Sequence, residues 1–315
     1  MPDTSSRPAR DGESRQAGVI DSHHHLWDLS AHRQPWLESQ PQLAALLRDF
    51  TLADLEPLTR AAGVSGTVVV QTVCEPGETP ELLATAAGSD LIAGVVGWVD
   101  LTKPDVADVL SQLGELPGAS ALAGIRHPVL AEEADDWLAR PDVLRGLAAL
   151  AAAGLPYDIV CRPSQLPAAV AAATALPQLT FVLDHLGNPD VIGGVDQAWA
   201  SAVRRLAALP NTACKLSGML GEPAPQQDAG RRPGGVAHLR PHYDLVLEAF
   251  GPQRLMYGSD WPVSTLGSSY AAVLNAARQL TTQLTAAEQA AIFSGTARRV
   301  YRLADPDLPP DRSPS

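Results

Sequence analysis

Residues 156–185 read PYDIVCRPSQLPAAVAAATALPQLTFVLDH. Two apolar, β-branched runs, 156–161 and 180–185, flank an Ala/Leu-rich stretch of helical character at 164–176. Strand, helix and strand in so short a span predict a parallel βαβ unit, because parallel neighbours need a crossover where antiparallel ones need only a hairpin.

The same alternation recurs on both sides. Six further runs read as strands: GVID (18–21), GTVVVQTV (66–73), LIAGVVGWV (91–99), LAGIR (122–126), TACKLS (212–217) and RLMYGS (254–259). Helical stretches fall between them, several opening on Ser, Thr or Asp and closing on Gly. Eight such units predict the α/β class and a single (β/α)8 TIM barrel over residues 18–303, with polar tails at 1–17 and 304–315. Three connections are long: Leu26 to Phe50, which carries Trp27 and Trp36; Pro128 to Asp136; and Gly218 to Arg240. Each follows a strand, so each belongs on the C-terminal face, where barrels keep their active sites.

Composition narrows the partners. The 315 residues are 45% hydrophobic, enough for a large core, and carry a net charge of −12, which speaks against nucleic acid and anionic membranes. No apolar leader segment opens the chain, and no run of about eighteen unbroken apolar residues follows. The expected partner is a small-molecule substrate. Cys74, Cys161 and Cys214 show no CxxC spacing and read as buried thiols of a cytoplasmic protein.

Polar residues gather at the predicted strand ends. In VIDSHHHLWD (19–28), side chains of an extended segment alternate, so His23 and His25 point one way and His24 the other, toward the wall or a loop. His185 closes the sixth strand and Asp260 follows the eighth. Three imidazoles and a carboxylate on one rim suit one divalent ion, Zn²⁺ above all, held by His23, His25, His185 and Asp260 with a position open for water or substrate oxygen. They equally suit metal-free chemistry, in which histidine N–H groups polarise a carbonyl while Asp260 takes a proton from water. No two-metal centre is expected, since the fourth strand ends in Arg126.

Arg126 and Arg162 end strands, and each is placed either to fork onto a substrate oxygen or to pair with a loop acid such as Glu132 or Glu133. Lys215 is expected to bond substrate or to pair with a rim acid. Asp184 should face away from His185 as a buried carboxylate capping a helix or backbone amides. Trp27, Trp98 and Trp261 lie near these residues and are candidates to stack on a ring face, although packing explains any one of them.

At DSHHHLWD, GIRHPV, VLDHLGNP, CKLSG and MYGSDWP, in this order, the chain resembles the amidohydrolase superfamily. Within it, the chain looks like the branch of lactone hydrolases that includes L-fuconolactonase, L-rhamnono-lactonase and 2-pyrone-4,6-dicarboxylate lactonase. The resemblance covers roughly residues 18–303. It implies a (β/α)8 barrel, His23 and His25 as the first-strand pair, His185 as the third imidazole, and Asp260 as the base that activates water on a lactone carbonyl. It leaves metal dependence open. Pyrone dicarboxylate enzymes use several arginines, whereas only Arg126 and Arg162 are expected on this rim, which favours the neutral lactone of a sugar acid. The other readings are a pyrone-dicarboxylate lactonase, a metal-dependent non-oxidative decarboxylase of an aromatic acid, and a barrel that binds a sugar acid without turnover.

Overall fold

The computed structural model describes residues 18–218, 220 and 235–304. The expected tails, apart from Ala304, and most of the 218–240 connection lie outside them. Eight strands form one all-parallel sheet in sequence order: β1 (Val19–His24), β2 (Val64–Val70), β3 (Ile92–Gly97), β4 (Leu122–His127), β5 (Tyr157–Ile159), β6 (Phe181–Leu183), β7 (Thr212–Leu216) and β8 (Leu255–Tyr257). Helices separate consecutive strands, so the fold is the expected (β/α)8 barrel. No helix among the described residues is long and apolar enough to cross a membrane.

Boundaries moved in two directions. β1 is longer than expected and takes in His23 and His24, while β5, β6 and β8 shrink to three residues each. β6 and β8 stop early because the backbone bends out into the loops of the rim: His185 and Asp260 both sit at left-handed φ, 52° and 56°. The helix before β8 runs from Gly235 to Phe250 and contains Pro241. After β8 the chain forms the helices Tyr270–Leu280 and Ala286–Ala290, a π turn and the helix Thr296–Tyr301.

One apolar cluster draws Ile20, Val68, Val96, Val182, Ala213 and Met256 from six different strands, which places it inside the barrel. Tyr301 and Leu303 join it from the C-terminal segment and close the lower end. The contact is tight: a Cβ at Gly94 would come within 2.8 Å of Leu303.

Closure of β8 onto β1 follows a different pattern from the seven ladders. The Ser22 hydroxyl donates to the Tyr257 carbonyl (2.6 Å), Asp260 N–H to His23 O (2.8 Å) and His25 N–H to Trp261 O (2.7 Å). The fully buried Asp21 carboxylate accepts from Ser259 N–H (2.8 Å), His23 N–H (3.2 Å) and the Tyr270 hydroxyl (2.9 Å). Gly258 lets the segments meet, since a Cβ there would lie 2.7 Å from that of His23. Burial still pushes the Asp21 carboxyl up to about 6, against the pull of these hydrogen bonds. Tyr270→Phe should therefore remove about 2 kcal/mol from this seam, seen by circular dichroism as a Tm lowered by roughly 3 °C.

Candidate active site

The C-terminal mouth of the barrel holds a cavity of about 500 Å³, within the range that takes small ligands. His25, His185, Arg126 and Asp260 line it. The alternation read from VIDSHHHLWD is present: His23 Nε2 lies 3.2 Å from His25 Nε2, while His24 turns outward and meets Thr67 Oγ1 at 3.0 Å. Asp260 Oδ1 stands 3.7 Å from His23 Nε2 and 3.6 Å from His25 Nε2. His23 and His185 lie with ring centres 4.5 Å apart. His185 Nδ1 meets the Ser217 hydroxyl at 2.8 Å, and Gly218, at φ 73°, passes so close that a Cβ would fall 2.6 Å from the His185 ring.

These environments set the protonation states. Burial lowers the basicity of all three imidazoles: His25 falls to about 3, with Arg126 adding to the effect, and His23 and His185 also fall. Burial has the opposite effect on Asp260, raising its carboxyl above the usual 3.8. His25 donates from Nδ1 to the Val70 carbonyl (2.8 Å), so its Nε2 offers a lone pair to the cavity.

That chemistry fits a divalent ion. One ligand atom from each of His23, His185 and Asp260 falls within 4.8 Å of the others, and the His25 lone pair adjoins them. The site can thus bind a divalent metal through nitrogen and carboxylate donors.

Beneath the rim lies a layer of buried charge whose roles differ from those expected. Asp184 faces away from His185, as alternation requires, but it holds side-chain cations and not backbone amides: Arg126 at 3.2 Å and Lys215 at 3.1 Å, with His23 Nδ1 at 3.5 Å. Burial alone would raise its carboxyl, yet Lys215 and His23 outweigh that and hold it well below the usual range. Lys215 is fully buried and does not line the cavity; it pairs with Asp158 (2.5 Å) and Asp184. It is therefore placed to meet acids below the rim, out of reach of a substrate.

Arg126 lines the cavity, with NH2 bonded to the Gln71 carbonyl (2.6 Å) and side chain (3.2 Å). Arg162 does not line it. Its guanidinium holds the β4 loop through the carbonyls of Leu130 and Glu132 and the Asp135 carboxylate, so the loop-acid alternative is realised, with a different acid. Trp27 donates to the Arg48 carbonyl and packs on Phe50, and Trp98 donates to His127, so neither faces the cavity. Trp261 packs on Phe50 as well. Trp36 supplies the aromatic wall instead, with Gln40, Gln42, Leu43 and Asn188 close by. Asp158 escaped notice in the sequence, although a carboxylate amid the apolar run PYDIVC is itself a signal. Cys161 and Cys214 are buried as expected, but Cys74 is exposed.

Neutral imidazoles beside a carboxylate poised to accept a proton are what attack of water on a carbonyl requires. Carried at the mouth of a parallel barrel, they mark the protein as a hydrolase of the (β/α)8 class. The chain belongs to the amidohydrolase family, matched over residues 20–303. It is 38% identical over 296 residues to a Burkholderia multivorans protein named L-fucono-1,5-lactonase, covering 91% of this chain and 97% of that one. A protein of the same name from Burkholderia ambifaria is 37% identical, with 91% and 96% covered. A solved Burkholderia multivorans amidohydrolase with bound zinc superposes with a TM-score of 0.82 at 35% identity, covering 91% of this chain and all of that one.

Proposed function

We propose that this protein hydrolyses the lactone of a sugar acid to the open acid. The observation that carries the reading is the charge of the cavity wall. Among the described residues lining it, Arg126 is the sole Lys or Arg, and the remaining polar wall is largely amides and hydroxyls, such as Gln40, Gln42, Thr72 and Asn188. Such groups suit a neutral ring rich in hydroxyls, whereas a dicarboxylate would demand more cations. The two relatives named as L-fucono-1,5-lactonases support the same choice.

In this reading the lactone carbonyl lies over His23, His25 and Arg126. Asp260 accepts a proton from water as the oxygen attacks the carbonyl carbon. Negative charge that develops on the carbonyl oxygen is met by Arg126 and by N–H groups of His23 and His185, since His25 turns a lone pair to the cavity. As the ring C–O bond breaks, protonated Asp260 returns its proton to the departing ring oxygen, giving the hydroxy acid. His23, His25, His185 and Asp260 would hold a divalent ion, with zinc suiting the donors, and that ion would supply Lewis acidity to the carbonyl and to water. Three unpaired cysteines support a reducing, cytoplasmic setting.

The test is a pH-stat screen of neutral aldonolactones beside a pyrone dicarboxylate. Acid release from an aldonolactone is expected; release from none of them, with some other activity surviving in Asp260→Asn, would overturn the reading.

Because the Asp260 carboxyl is raised and must be ionised to act, kcat/KM should climb with pH through an inflection above 3.8, and Asp260→Asn should abolish turnover. His23→Ala and His25→Ala should each lower kcat/KM by about a hundredfold or more. His24→Ala, on the outer side of the strand, should keep activity within a few-fold while losing about 1–3 kcal/mol of stability. Zinc titration followed by calorimetry should show uptake that His185→Ala abolishes.

A further inference from the structure

The geometry points to Lys215 as a positioning residue for this hydrolysis, set from below by Tyr301 on the last helix. The inference rests on the lactonase reading and adds residues that never meet the substrate. Lys215 is fully buried on β7, and its ammonium reaches groups from three other parts of the barrel wall: Asp158 Oδ2 of β5 at 2.5 Å, Asp184 Oδ1 after β6 at 3.1 Å and His23 Nδ1 of β1 at 3.2 Å. Lys215 donates to Asp158 and meets His23 Nδ1 at hydrogen-bond distance, while Asp184 Oδ1, which accepts no hydrogen bond among the described residues, is held to it as an ion pair.

Above Lys215, Asp184 is the shared support of two groups at the reaction centre. Its Oδ2 accepts from Arg126 NH1 at 3.2 Å, and its Oδ1 lies 3.5 Å from His23 Nδ1. Displacing Asp184 therefore moves the guanidinium and the imidazole together. Below Lys215, the Tyr301 hydroxyl donates to Asp158, 2.8 Å from one carboxylate oxygen and 2.9 Å from the other. Tyr301 is buried in the interior cluster, and Leu303, wedged under Gly94, seats the same segment. A continuous polar column thus runs from the lower end of the barrel, through Tyr301, Asp158, Lys215 and Asp184, to Arg126 and His23.

Steady-state kinetics on the lactone that the screen identifies separates positioning from a role in folding alone. Tyr301→Phe keeps the ring and removes the hydroxyl; kcat should fall roughly five- to twentyfold with KM within about twofold. Lys215→Met should cost about a hundredfold in kcat, as expected when reacting groups are displaced by a fraction of an ångström to an ångström. Tyr301 and Arg126 do not touch, so independent effects would multiply. In the Tyr301→Phe, Arg126→Lys double variant, the combined loss should instead fall short of the product by about threefold or more. Folded Tyr301→Phe and Lys215→Met proteins with kcat within about twofold of the parent, or losses that multiply, would overturn the proposal. If Lys215→Met does not fold, Tyr301→Phe and the double variant decide it. If the parent opens no lactone, the functional reading fails on its own. The column is then read from ¹⁵N-histidine spectra, in which Tyr301→Phe should shift the His23 ring signals and leave those of His32 in place; unmoved His23 signals would refute it.

Discussion

The reaction centre depends on how the last strand meets the first. Seven strand pairs are held by parallel ladders, but β8 and β1 are joined mainly where they leave the barrel, through Ser22, Asp21 and the backbone of residues 257–261. The same few hydrogen bonds carry Asp260 to His23 and His25. A carboxylate and an imidazole pair separated by about 235 residues of chain become neighbours only because this seam closes. Asp21 makes the seam directional: as a buried acceptor for two amides and a hydroxyl, it fixes β1, the β8 loop and the helix starting at Tyr270 together. Strain at Asp260, held at φ 56°, is consistent with a residue whose surroundings dictate its conformation.

Below the rim the barrel changes from apolar to ionic within one layer of side chains. Burying a lysine and two aspartates is costly, and such networks contribute little net stability over a well-packed apolar core. Here the network consists of Lys215 between Asp158 and Asp184, with every member fully buried. What it provides is location: Arg126, on the cavity wall, and His23, just behind it, rest on a support built from several strands. The loops after β1 and β4 supply the upper wall through Trp36, Gln40, Gln42 and Leu130.

The parts of this arrangement legible in the sequence were those set by local periodicity. The βα alternation gave the barrel, and two-residue alternation separated His23 and His25 from His24. Strand ends were less legible, because β6 and β8 stop where His185, Asp260 and their neighbours turn out of the sheet. For Arg162, Trp27, Trp98 and Lys215 the sequence leaves substrate contact open beside an acid partner or packing, because nearness along the chain does not decide which way a side chain faces. Arg162 was taken by loop carbonyls, the two tryptophans by hydrogen bonds within the wall, and Lys215 by acids from other strands. Those partners are long-range, and no single segment reveals them. Cys74 shows the same limit, since its exposure follows from the loop after β2 and not from its apolar neighbours.

Charge balance connects the buried layer to substrate choice. Asp158, Asp184 and Asp260 face Lys215 and Arg126 across neutral imidazoles, so with the carboxylates ionised the layer carries one net negative charge. Proton transfer from water to Asp260 neutralises one carboxylate as the lactone oxygen becomes an oxyanion, so the net charge stays unchanged through the step. A neutral lactone therefore asks the protein only to move charge a few ångströms, toward Arg126 and the histidines. A dicarboxylate would add two negative charges to a layer already negative. Each repulsion would amount to about 3 kcal/mol at roughly 6 Å with an effective dielectric constant near 20. With one guanidinium on the described wall, the protein groups of the floor alone offer little to offset that repulsion.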